Sequence, residues 1–158
     1  MSGLTTYLND HLAGSVAALE LLDHLVALHQ GTEREKLFTA LRGEVEEDQR
    51  VLQQLLEQAG GKESRMRKAA AWLTEKIGEA KLKLDDPGNS ELRKLEALEG
   101  LGLGIQGKLA LWRGLAATSD RVPQLRTLDY ERLQRRATQQ HDRVEALRLQ
   151  AARAALAP

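Results

Sequence analysis

The side chains of this 158-residue chain that could hold a metal or move a proton are few. There are four histidines and no cysteine, which excludes thiolate ligands, a thiol nucleophile and a disulfide framework. None of the serines (Ser2, Ser15, Ser64, Ser90, Ser119) sits in a Gly-x-Ser-x-Gly elbow. What remains is carboxylate and imidazole. Glu44 and Asp48 stand four apart, and Glu99, Gln106 and Arg113 stand seven apart. His11 falls on an apolar stripe and His141 beside another. If all of these turn to one axis, two or three carboxylates, one or two imidazoles and a guanidinium meet there. His11, Glu44, Asp48, Glu99 and His141 are then candidate metal ligands. The competing reading is a buried salt-bridge and hydrogen-bond network that includes Gln106, with Arg113 neutralising the acids. Buried charges must be paired or coordinated, so either reading satisfies the physics.

Helices must position these groups. Leucine occurs 30 times and alanine 21 times, against 8 valines and isoleucines together and five aromatics. That composition favours helix, where unbranched side chains lose little rotamer freedom, over sheet. Periodicity predicts a first helix over about 3–29, with Leu4, Leu8, His11, Ser15, Ala18, Leu22 and Val26 on one face. A second follows to about Gln58, opened by a capping box of Thr32 and Glu35. Gly31 and Gly60 end these two helices. A shorter helix covers about 63–84, and Ser90 is the expected N-cap of a fourth over about 91–117. That fourth helix is apolar nearly all round and should be buried on several sides. The last spans about 128–155. The reading is therefore all-α, one domain over 1–158: a four-helix bundle whose long central crossover, 59–90, contains the short helix.

That order resembles the ferritin-like superfamily. The stretches YLNDHLAGSVAALELL, ESRMRKAAAWLTEKIG and LEALEGLGLGIQGKLALW are also similar to a bacterial branch of it that lacks the dimetal ligand motifs. Metal-binding members hold two Fe or Mn ions with a Glu on each of two helices and Glu-x-x-His on the other two. Here the residues three before His11, His24, His29 and His141 are Leu8, Leu21, Val26 and Thr138, so no Glu-x-x-His exists. The resemblance then implies a bundle with a degenerate metal site, needing no cofactor and acting as a structural or interaction protein rather than an enzyme. Its alternative is a dimetal oxidoreductase or metal-storage protein that binds Fe or Mn through atypical ligands.

Other features carry weaker expectations. Gly102–Lys108 formally matches G-x-G-x-x-G and the start of a P-loop, but the flanks are Leu-rich helix and Leu109 replaces the Ser/Thr that Mg²⁺ needs. Gly100, Gly104, Gly107 and Gly114 strip side chains from one side of that helix, which predicts close packing against the crossover helix around Ala69–Ala71 or against a second copy. A larger residue at Gly104 would then destabilise the fold. The crossover helix carries Arg65, Arg67, Lys68, Lys76, Lys81 and Lys83 beside Met66, Trp72, Leu73 and Ile77. This describes either a solvated face over a core stripe or a helix lying on an anionic membrane. Residues 1–61 hold 4 basic and 10 acidic groups and residues 62–158 hold 19 and 13, so opposite charges of six units cancel to zero. Complementary faces, within a bundle or between protomers of a dimer, follow from that. The neutral total argues against a nucleic-acid partner. No apolar run is expected to reach the roughly 18 residues of a transmembrane segment, and a cytoplasmic protein is expected.

Overall fold

The computed structural model describes residues 2–62, 64–85 and 87–157, with the side chains of all of these except 64–70, 73 and 80. The described residues form five α-helices and no strand: α1 Gly3–Leu28, α2 Glu33–Gln58, α3 Ser64–Leu84, α4 Ser90–Thr118 and α5 Tyr130–Leu156. Short 3₁₀ turns, Pro87–Asn89 and Pro123–Thr127, precede α4 and α5. Gly31 and Gly60 adopt φ of 82° and 73°, the left-handed conformation that ends α1 and α2 at little steric cost. Two start signals act differently from the sequence expectation. Thr32 makes no capping bond and donates to the His29 carbonyl at 2.7 Å, while Glu35 accepts the Gly31 N–H at 2.6 Å. Asn89, not Ser90, is the cap residue of α4.

Side-chain pairs fix the topology. Ser15–Gln49 and Asp23–Arg42 make α1 and α2 antiparallel. Gln106–His141 and Glu99–Arg148 do the same for α4 and α5. Arg136–Glu47 and Arg143–Glu44 join α5 to α2, again antiparallel. Glu20–Lys81 and His24–Asp85 align α3 parallel to α1. The chain therefore runs up α1, down α2, back up α3, down α4 and up α5. α3 is the crossover that lets α2 and α4 run the same way.

Two apolar layers fill the interior. One gathers Leu21, Leu22, Leu25, Phe38, Leu41, Val45, Leu98, Leu101, Ile105 and Val144. The other gathers Leu8, Leu12, Leu52, Leu55, Leu111, Trp112, Leu133 and Ala137. Burial of these side chains is the main driving force for association of the helices. α1 is the one described helix long and apolar enough, by length and composition, to cross a membrane, an 18-residue window of it having a mean hydropathy of 1.3. Nine of its residues are buried in the bundle, where it packs on α2, α3 and α4. α4 is not enclosed all round either, for Leu103 is 69 % exposed.

Nothing among the described residues packs closely against Gly100, Gly104, Gly107 or Gly114 of α4. Among the described residues, a Cβ built on Gly100, Gly104 or Gly107 meets no atom within 4 Å, and one on Gly114 meets only the Tyr7 hydroxyl at 3.6 Å. Of the expected partners, Ala71 is exposed, and the side chains of Ala69 and Ala70 lie outside the described residues. With no clash to offset it, the conformational cost of glycine in a helix dominates. Gly104→Ala should raise stability by about 0.5–1 kcal/mol. A melting temperature below that of the parent protein would contradict the open space at this position.

Candidate functional site

Between the two apolar layers lies one polar layer. On α2 the gap between Val45 and Leu52 is filled by Asp48, on α4 the gap between Ile105 and Leu111 by Lys108, and on α5 the gap between Ala137 and Val144 by Gln140. Each sits at a helical position that faces inward, so each is carried into the bundle by its apolar neighbours. The Asp48 side chain is 3 % exposed and Gln140 is fully buried.

The layer is a connected set of charge-assisted contacts in which one buried donor, Arg136 Nε, has no acceptor among the described residues. Lys108 Nζ donates to Asp48 Oδ2 at 2.7 Å and also to Gln140 Oε1. Arg136 donates through one nitrogen to Asp48 Oδ1 and through another to Glu47 Oε2 at 2.6 Å. Gln140 Nε2 donates to Glu44 Oε2 at 3.0 Å, and Arg143 donates to the same oxygen at 2.5 Å. Three acids (Glu44, Glu47, Asp48) thus meet three cations (Lys108, Arg136, Arg143). Both oxygens of Asp48 are taken. Burial pushes the Lys108 ammonium below its usual range against the pull of Asp48. Arg136 also loses solvation, but Asp48 and Glu47 outweigh that and hold its guanidinium firmly charged.

A cavity of about 90 Å³ adjoins this layer, bordered by His11, Ser15, Gln49, Asp48 and Lys108 with Leu101 and Leu111. His11 is half-buried and meets Tyr7 edge-on, with ring centroids 4.7 Å apart. Loss of solvation pushes its pKa below 6.5, and the neighbouring Asp10 opposes that only in part.

The sequence-predicted residues divide between two places. Glu44 and Asp48 enter the polar layer, and His11 lines the adjoining cavity. Glu99, Gln106 and His141 stand instead on the outer seam of α4 and α5, bordering an open cleft of about 240 Å³ with Glu145 and Arg148. There Gln106 bonds His141 at 3.1 Å, and Glu99 pairs with Arg148 at 3.4 Å. Arg113 is exposed and takes no part in the interior network. Its expected role belongs to Lys108, Arg136 and Arg143. The signal that marks them is the interruption of each apolar stripe at one height in the bundle. Lys108 sat inside the discounted P-loop match, where a cation on a leucine-rich face was itself the anomaly.

The donor set does not suit a dimetal ion pair. Among the described residues no group of three or more His, Asp or Glu could hold a metal. The inward carboxylate with the deepest burial is already bound by an ammonium and a guanidinium, each of which would repel a divalent cation. Comparison with known proteins finds no family model, no curated protein and no solved structure that matches this chain.

Two outcomes follow from the layer's physics. Asp48→Asn leaves Lys108 and Arg136 without their buried counter-charge and should cost about 3–5 kcal/mol in chemical denaturation. Glu99→Gln, on the solvated seam, should cost no more than about 1 kcal/mol by the same measurement. His11 binds its proton less readily folded than unfolded, so its contribution to stability is present above about pH 6.5 and is lost as the pH falls. His11→Gln should therefore flatten the decline of stability between about pH 7 and pH 5. An unchanged slope would show that His11 titrates as freely in the fold as in the unfolded chain.

Proposed function

We propose that this chain is a ferritin-like helical bundle with a structural or protein-interaction role and no enzymatic activity, its metal centre replaced by internal ion pairs. The carrying observation is the double clamp on Asp48: Lys108 and Arg136 take both of its oxygens in the middle of the bundle. The antiparallel pairs α1–α2 and α4–α5, linked through a crossover helix parallel to α1, support the ferritin-like assignment by topology. In this reading two cations of the chain stand where metal-binding members place theirs, and no Fe or Mn is required.

The alternative, a dimetal oxidoreductase or metal-storage protein with atypical ligands, would need Asp48 to release both cations. It would also need His11, Glu44, Glu99 and His141 to converge from different faces. The membrane reading rests on α3, where Trp72 and Leu82 are 60 % and 75 % exposed beside Lys76 and Lys83. The basic residues 65, 67 and 68 of that expectation have side chains outside the described residues. Exposed apolar groups, Leu103 and Leu149 on α4 and α5 and the two on α3, also support self-association as a dimer. The neutral total charge supports a protein without a nucleic-acid partner.

Elemental analysis of untagged protein, with thermal melting in added Fe²⁺ or Mn²⁺, tests the central claim. The expected result is no stoichiometric metal and no rise in melting temperature, because binding to the folded state alone would stabilise it. A tightly held equivalent of Fe, Mn or Zn that disappears in Asp48→Asn would overturn the reading.

A further inference from the structure

A second cavity among the described residues opens beside the one that adjoins the polar layer and shares Gly14, Ala18, Leu101 and Gly104 with it. It is a groove of about 440 Å³ between α1, α3 and α4, within the roughly 300–1,000 Å³ common for small-molecule sites. Its walls are apolar: Ala18 and Leu21 from α1, Ile77 and Leu84 from α3, Leu101 from α4. The space exists because Gly14, Gly100 and Gly104 border it, and a Cβ on any of them would meet no described atom within 4 Å.

The charges bordering the groove are uneven. Lys76 pairs with Glu79 at 3.7 Å and Arg93 with Glu96 at 2.7 Å. Lys83, the fifth charged group on the groove, has no acidic partner among the described residues, and the three cations on the border outnumber its two acids by one. Arg93 Nε is buried with no acceptor among the described residues. An orphaned donor of this kind is costly unless an acceptor fills the place. Lys83 and Arg93 flank the 85–89 turn, so both belong to the same end of the groove. Gly104 lies eleven residues beyond Arg93, roughly 16 Å further along α4.

We propose that this groove binds a free fatty carboxylate, its carboxylate group at Lys83 and Arg93 and its chain laid over Gly100 and Gly104 toward Gly14. The carboxylate supplies the missing acceptor and the missing negative charge. The chain covers apolar wall that is otherwise open to water. This binding does not depend on the ferritin-like assignment.

Titration calorimetry with dodecanoate, below the concentration at which it forms micelles, tests the proposal on the full chain. The expected result is saturable binding of one molecule. Gly100→Leu fills the groove and should weaken that binding by about tenfold or more, without lowering the melting temperature. Gly104→Leu serves as a second filling variant if Gly100→Leu melts early. Lys83→Gln should weaken dodecanoate several-fold and leave 1-dodecanol unaffected. The proposal is overturned by the absence of saturable binding, or by binding that survives both filling variants in folded protein. Equal weakening of dodecanoate and 1-dodecanol in Lys83→Gln would also overturn it. So would light scattering that shows a dimer which the filling variants dissociate, for then a second copy occupies the groove.

Discussion

The bundle depends on Asp48 keeping its two cations. Apolar burial would bring any set of leucine-striped helices together, but it is indifferent to which turn meets which. An ammonium and a guanidinium inside the protein are not indifferent. They tolerate burial only opposite a carboxylate, and only Asp48 reaches both. Gln140 completes the arrangement by accepting from Lys108 and donating to Glu44, so the amide leaves neither of its faces bare. A polar layer of this kind contributes more to uniqueness than to net stability, because an apolar replacement of equal volume would avoid the desolvation cost altogether.

The same layer explains why the two halves of the chain carry opposite charge. Four of the ten acids before residue 61, Glu20, Glu44, Glu47 and Asp48, pair with basic groups of the second half. Part of the complementarity anticipated from composition is met within the chain.

Much of the architecture was legible before any coordinates. Helix bounds came from glycine stops and from the 3.6-residue period, and they differ from the structure by two residues or fewer. The crossover followed from the length between Ala59 and Ser90. The interior was harder to read. Glu99, Gln106 and Arg113 share a stripe seven residues apart, yet that stripe looks outward along the α5 seam. A helix that is apolar nearly all round offers no contrast from which to judge its inner face. Arg113 lies on the outer side, and the phosphate-loop-like spacing around Lys108 masks its inward position. The glycines misled for a related reason. A missing side chain marks either a close neighbour or an empty space, and sequence does not separate the two.

The polar layer also has a kinetic meaning. The α1–α2 and α4–α5 hairpins join helices adjacent in the chain and can form early. The contacts Asp48–Lys108 and Glu44–Arg143 span 60 and 99 residues and exist only after the hairpins dock. Docking one helical turn out of step would strip water from Lys108 with nothing to replace it, so misaligned encounters come apart. The buried charges thus favour the one register of assembly that pairs them over alignments of the same greasy surfaces that leave them bare.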